Sequence, residues 1–282
     1  MKNYSFKADE DKIKEILDLF DKEKISSGDD ILRWKIRDDG ITINIYNTGS
    51  VVISGPRAAE LWGRLFEHAE QILPQAGSDE VGTGDFFGPV CVCASYVDQN
   101  TYETLADLNL TDSKQLTDIY IREISPRLIE SVPHSLLILN NSRYNQVITT
   151  NNMNVIKAKM HNKAYLNLQE KGITLPGLCV VDDFCGETLY YRYVSDEENV
   201  FDGLTFHTKA ESQYISVAIG SIISRYAFLK YMDSLSEKYQ MVFPKGAGAP
   251  VDDFASEFVA AYGLDELKRV AKCNFRNYKK LL

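Results

Sequence analysis

The chain has 282 residues, longer than one modal domain, so a main body with a smaller appended module is the expected organisation. Hydrophobic residues make up 44% and charged residues 25%, a balance that supports a sizeable core and excludes intrinsic disorder. A formal net charge of −9 argues against adhesion to nucleic acid through a broad basic surface, although acids gathered around metal ions invert the local field.

The start, MKNYSFKADEDKIKEILDLF, is acidic and amphipathic where a signal peptide has a basic end and an unbroken apolar stretch, and no apolar run reaches membrane-spanning length. A cytoplasmic protein with no membrane partner is expected. From about Asp9 to Lys22, Ile13, Ile16, Leu17, Leu19 and Phe20 recur at helical spacing. From Ile31 to Arg37, Leu32, Trp34 and Ile36 alternate with Arg33, Lys35 and Arg37, the pattern of a half-buried strand. ITINIYN and VVISG follow as two more strands, set off by Asp38, Asp39 and Gly40 and by Thr48, Gly49 and Ser50, which predicts two hairpins. A second helix is expected from Pro56 to Leu73. These elements make a compact module ending near Pro74. Beyond it, VCVCASYV, SLLILNN and GLCVVDD read as buried strands, with helical patterns over Asp118 to Ser131, Lys157 to Lys171 and Ser216 to Lys238. A mixed α+β or α/β sheet flanked by helices follows.

The five cysteines are odd in number and show no CxxC spacing, so neither a disulfide framework nor a zinc cage is expected. His68, His134, His161 and His207 are scattered and give no support to a histidine metal site. The most informative segment is Gly77 to Pro89, GSDEVGTGDFFGP, which sets Asp79 and Glu80 beside a glycine loop directly before an apolar strand. Glycines admit positive φ and close backbone approach, so Gly82, Thr83 and Gly84 can meet a ligand through main-chain groups. Paired carboxylates beside such a loop suit a metal-and-phosphate site; the plain alternative is a turn with solvated acids.

This segment resembles the signature of type 2 ribonucleases H, and its GTG loop with the DFFGP continuation resembles the ribonuclease HIII branch. LTDSKQLTD at Leu110 to Asp118, CVVDDF at Cys179 to Phe184, TKAESQYISVAIGSIISRYA at Thr208 to Ala227 and FPKGAGA at Phe243 to Ala249 extend the likeness in the expected order. The resemblance implies a ribonuclease H-like catalytic domain over 75–282, preceded over 1–74 by a small TBP-like domain that helps bind substrate. It also implies an endoribonuclease that hydrolyses the RNA strand of RNA–DNA hybrids, leaving 5′-phosphate and 3′-hydroxyl ends; a monomer is expected as the simplest arrangement. Incision at single ribonucleotides in DNA, as ribonuclease HII performs, and non-catalytic hybrid binding are the alternatives.

Carried over by position, the four catalytic and metal-holding acids fall on Asp79, Glu80, Asp182 and Glu211, with Glu187 the alternative fourth acid. Carboxylates suit Mg2+ or Mn2+, and two such ions roughly 3.5 to 4 Å apart activate water and stabilise the leaving oxygen. Asp182 and its neighbour Asp183 both end a strand, where an acid often only caps a turn. Glu211, at a position where ribonuclease HII carries aspartate, has the alternative of complementing the dipole of the helix that follows. The resemblance sets the main chain of Gly82, Thr83 and Gly84 against the 2′-hydroxyls that distinguish RNA. It sets Ser113 and Lys114 on backbone phosphates, with Asp112 ordering their loop and helix capping as the alternative role. Lys209 is a further phosphate candidate. Lys268, Arg269, Lys272, Arg276, Lys279 and Lys280 form a positive run that either holds the DNA strand or is the exposed face of a terminal helix. Lys245 with Gly246 and Gly248 is either a close-approach loop or a surface turn, and Lys35, Tyr46 and Arg57 are the N-terminal candidates for the hybrid. Ile219, Gly220 and Ser224 stand where the family usually has alanines, and Asp183 where a neutral residue is common.

Overall fold

The structure is a computed structural model and describes residues 4–27, 30–58, 61, 65, 71–108, 110 and 116–282. The chain divides into two compact units, Met1–Ala69 and Glu70–Leu282.

In the first unit, β1 (Tyr4–Lys7), α1 (Glu10–Asp18), β2 (Ile25–Ser27), β3 (Leu32–Asp38), β4 (Ile41–Tyr46) and β5 (Ser50–Ser54) follow one another. The strands form an antiparallel sheet in the order β1-β5-β4-β3-β2. Alternation puts Ile36, Ile43, Ile45, Val51 and Ile53 on one face, where Ile13 and Ile16 of α1 and Ala58, Leu61 and Leu65 cover them. Asp9 caps α1 by accepting from the Lys12 N–H at 2.9 Å. The expected helix to Lys22 stops at Asp18, because the chain must turn to bring Ile25 opposite Ile36. β1 and β2 have only four and three residues, too few for an alternation to be read. Most of the expected Pro56 to Leu73 helix lies outside the described residues. Its end is corrected, since residues 71–73 are not helical and Pro74 disfavours helix at the residue before it.

The second unit begins with β6 (Gln75–Val81) and β7 (Val90–Val97), then α2 (Gln99–Thr104), α3 (Asp118–Ser131), β8 (His134–Leu139) and α4 (Asn141–Val147). It continues with α5 (Met153–Glu170), β9 (Cys179–Asp182), α6 (Glu187–Val194), β10 (Leu204–His207) and a 3-10 turn at Ala210–Ser212. It ends with α7 (Ile215–Tyr239), α8 (Ala249–Tyr262), α9 (Leu264–Val270) and α10 (Arg276–Lys279). The sheet order is β10-β9-β6-β7-β8, with β6, β7 and β8 antiparallel and β6, β9 and β10 parallel. This is the expected mixed sheet flanked by helices. One face, through Cys93 and its neighbours, packs on Ile215, Ile219, Ile222 and Ile223 of α7 and on α3. The other face, through Ala76, Cys179 and Val181, packs on Ala158 and Tyr165 of α5.

α5 starts four residues before the expected Lys157, because Asn152 caps it from the Val155 N–H. α7 takes its place through missing side chains. A Cβ on Gly77 would lie 2.5 Å from Ser216 Oγ, and one on Gly220 would lie 2.6 Å from the Cys93 carbonyl oxygen. Helix and sheet backbones therefore touch where β6 carries its acids. Among the described residues no helix is long and apolar enough to cross a membrane.

Candidate active site

Successive strand residues point to opposite faces, and this rule divides the acids of β6. Asp79, opposite Cys93 in the register, faces α7; Glu80, opposite Val92, faces α5. Ser78 lies opposite Val181 on the parallel strand β9, so the next pair along, Asp79 and Asp182, stands side by side at the C-terminal ends of two parallel strands. Loops beyond such strand ends are where α/β sheets place their ligands.

Asp79 is 6% exposed. Its Oδ1 accepts from the Glu80 N–H at 2.8 Å, and Ser224 of α7 donates to its carbonyl oxygen at 3.2 Å. Burial pushes its carboxyl up to about 7; the charge of Glu80 adds to the rise, a hydrogen bond from Ser221 and the Glu80 N–H oppose it, and Glu211 adds again. Glu211 sits in the 3-10 turn at 4% exposure, and its charge acts on Asp79. Asp182 Oδ1 accepts from the Ala210 N–H at 3.0 Å, which ties the strand end to the turn carrying Glu211. Crowded, desolvated carboxylates of this kind lack positive charge, and hard oxygen donors are the ligands a divalent cation takes.

The neighbouring acids sort differently. Asp183 Oδ1 accepts from the N–H groups of Cys185 at 3.2 Å and Gly186 at 2.6 Å, so it caps the turn into α6. Glu187 is exposed in the first turn of α6. Glu80 is held on the far side of β6, with Oε1 against the Lys157 ammonium and Oε2 2.9 Å from His161 Nε2. Burial alone would raise its pKa, but the hydrogen bond and charge of His161 and the charge of Lys157 win and hold it below the usual range. Asp79 and Glu80 leave the strand on opposite faces, and among the described residues no three metal-ligating side chains converge on a common ion position.

Gly82 has φ +94°, and a Cβ there would collide with the Pro89 carbonyl, so the loop admits only glycine at this point. Gly84 is exposed with open space where a Cβ would be, and Thr83 is half-buried between them. The loop is fastened from behind. Asp85 Oδ1 accepts from the Gly246 N–H at 2.6 Å, Phe86 N–H donates to the Gly246 carbonyl at 2.9 Å, and Gly88 N–H donates to Val270 at 3.0 Å. Gly246 thus anchors the glycine loop through its main chain, although a Cβ there would meet open space, while Lys245 itself pairs with Asp118 beside Arg225.

Lys272 corrects the expected positive run of the tail. It is fully buried, and its Nζ donates to the carbonyls of Asp85 at 2.7 Å and Gly88 at 2.6 Å. Burial lowers its pKa to about 7 against the opposing pull of Asp85 and Cys91. Within the same run Lys268, Arg269 and Lys280 pair with Asp265, Glu266 and Asp252. Ser113 and Lys114, with Asp112, lie outside the described residues. Lys209 is exposed, with a left-handed backbone at φ 54°, directly before Ala210. In the first unit Lys35 lies opposite Asn44, and Tyr46 shares the parity of Asn44, so all three belong to the face turned away from the core. Arg57 lies elsewhere, 3.5 Å from Asp39 in the hairpin turn.

Sequence reasoning missed Lys157, His161, Ser221 and Lys272. Lys157 and His161 are spaced i, i+4 on the inward stripe of α5, a polar pair where apolar residues are due, and that was the available signal. Lys272 left no signal, since a lysine in a basic run reads as solvated.

Comparison with known proteins bears on this arrangement. Residues 76–278 match the family described as Ribonuclease HII. A protein named Ribonuclease HIII from Streptococcus pyogenes is 37% identical over 270 residues, covering 91% of this chain and 90% of its own. Another of that name from Lactococcus lactis subsp. cremoris is 38% identical over 248 residues, covering 86% and 85%. The crystal structure of Bst-RNase HIII in complex with Mn2+ superposes with a TM-score of 0.72 at 33% identity, over 99% of this chain and 98% of that one. RNase H3 of Aquifex aeolicus shares the fold at a TM-score of 0.59 and 22% identity. With adjacent acids at the ends of β6 and β9, and relatives matching along nearly its whole length, this chain belongs to the ribonuclease HIII family of type 2 ribonucleases H and is a ribonuclease H hydrolase.

Proposed function

We propose that this ribonuclease H hydrolyses the RNA strand of RNA–DNA hybrids, with Asp79, Glu80, Asp182 and Glu211 as the residues that hold two divalent ions, Mg2+ or Mn2+. The observation that carries this reading is the parallel register ending at Ser78 and Val181, with Asp79 and Asp182 each the next residue on its strand, and a buried Glu211 whose charge acts on Asp79. Mn2+ is bound by the relative Bst-RNase HIII. When bound, the ions supply a water activated near neutral pH and stabilise the charge on the leaving 3′ oxygen, giving 5′-phosphate and 3′-hydroxyl ends.

The chain's own residues do the rest. Ser221, Ser224 and the Glu80 N–H hold the Asp79 carboxylate and backbone, and the Ala210 N–H orients Asp182, so these donors are set before substrate arrives. The main chain of Gly82, Thr83 and Gly84 reads the 2′-hydroxyls; the required glycine at 82 and the open space at 84 support a backbone that a sugar can approach. Ser113, Lys114 and Lys209 contact phosphates. The first unit acts as the TBP-like substrate-binding domain, with Lys35, Asn44 and Tyr46, on the sheet face turned away from its core, toward nucleic acid.

Cleavage assays test this with labelled RNA–DNA hybrid, RNA duplex, DNA duplex and a DNA duplex carrying one ribonucleotide, each with Mg2+ or Mn2+. The expected result is metal-dependent cutting of the RNA in the hybrid, with Asp79→Asn and Asp182→Asn each slowed at least about a thousandfold while hybrid binding persists. Cleavage that survives both substitutions would overturn the assignment of the acids. Preferred cutting at the single ribonucleotide would overturn the substrate.

A further inference from the structure

Glu80 is enclosed by a lysine and a histidine of the protein itself. The Lys157 ammonium contacts Oε1 and the His161 imidazole contacts Oε2 at 2.9 Å, so each carboxylate oxygen has its own partner. Both partners are rigidly seated. His161 is fully buried, and its Nδ1 lies 2.7 Å from Ser78 Oγ, on the strand residue two before Glu80. Nε2 faces a carboxylate oxygen, an acceptor, while Nδ1 faces a hydroxyl that can donate, so Nε2 carries the hydrogen and donates to Glu80. Lys157 is 8% exposed, and its Nζ lies 3.8 Å from the centre of the Phe184 ring, which also stacks on His161 at 5.7 Å. Phe184 follows Asp182 by two residues, so one ring braces both α5 residues against the strand end that carries the other acid.

A lysine and a histidine buried one turn apart are costly unless they serve the group they touch. We propose that Lys157 and His161 are positioning residues for Glu80: His161 fixes the direction of the carboxylate, and the Lys157 ammonium acts as a tethered cation that competes with a divalent ion for it. This rests on the reading of Glu80 as a metal-holding residue. A positive charge in contact with a ligand carboxylate weakens the site's attraction for a second cation and leaves its geometry set. The two residues therefore act on metal affinity in opposite directions, which a shared structural role does not produce.

The test is Mn2+ binding to the full chain without substrate, followed by electron paramagnetic resonance of the free ion, beside kcat and KM on hybrid. Wild type and Asp79→Asn define the site. Lys157→Met is expected to bind Mn2+ about tenfold more tightly and to turn over more slowly, with Lys157→Arg returning to wild-type affinity. His161→Ala is expected to bind Mn2+ about tenfold more weakly, with His161→Gln, which keeps a donor near Nε2, recovering most of the loss. Lys157→Gln is a second neutral replacement should the methionine variant fail to fold. Unchanged or weaker Mn2+ binding in the folded neutral variants of Lys157, or a shift in the same direction for both positions, would overturn the inference alone. Absence of any Asp79-dependent Mn2+ binding in wild type would overturn it together with the reading of the acids.

Discussion

Lys272 shows how much one residue's surroundings decide. A fully buried lysine nitrogen is held by two main-chain carbonyls at the ends of the Asp85–Gly88 segment. Neutral amine still has hydrogens enough for both bonds, which is why burial can pull the pKa down to about 7 without loosening the loop. In the unfolded chain this lysine titrates near its ordinary 10.5, so between pH 7 and 10.5 the unfolded state binds more protons and stability rises with pH. Below pH 7 both states are protonated and the penalty is fully present. Chemical unfolding of wild type and Lys272→Met at pH 7 and pH 9 is expected to show wild type gaining about 2 kcal/mol on the variant over that interval. A constant difference between the two proteins would mean that the lysine titrates normally.

At the scale of elements, the contact of α7 with β6 and β7 sets where the acids stand. Gly220 falls in the middle of a long helix, where alanine is favoured by about 1 kcal/mol on propensity. The fold reverses that preference, because a Cβ would sit 2.6 Å from the Cys93 carbonyl and 3.4 Å from the Asp79 nitrogen. Gly220→Ala is therefore expected to lower stability by about 1 to 2 kcal/mol, read from the urea midpoint, as overpacking pushes the helix off the sheet. An unchanged or higher midpoint would show that the helix can shift without loss. The same contact explains another departure from the family pattern, since Ser224 donates to the Asp79 carbonyl. Ile219, fully buried against the sheet, needs no more than its apolar volume.

For the whole molecule, the two units divide binding from chemistry in the proposed function. The net charge of −9 gives no general attraction for nucleic acid, so in that proposal affinity comes from local features such as Lys35 and Tyr46 on the sheet face turned away from the core. Replacing them together, Lys35→Glu with Tyr46→Ala, is expected to raise KM for hybrid about tenfold and leave kcat within about twofold, measured on the full chain at fixed salt. A fall in kcat with KM unchanged would assign that face to something other than substrate binding.

The sequence by itself determined the mixed sheet, the long helices and the adjacent acids Asp79 and Glu80 beside a glycine loop, because alternation, helical spacing and the GSDEVGTGDFFGP segment are local properties of the chain. It also located Gly82, whose positive φ is a requirement of one turn. What it left open needed neighbours distant in sequence. Asp182 and Asp183 are adjacent in the chain, and only the parallel register with β6 sets the first beside Asp79 while the second closes a turn. Glu211 and Glu187 were separated by burial, a property that their own residue types do not carry. Lys157, His161 and Lys272 read as ordinary polar residues until packing enclosed them, since the cost of burying a charge, and the partner that offsets it, exist only once the chain has folded.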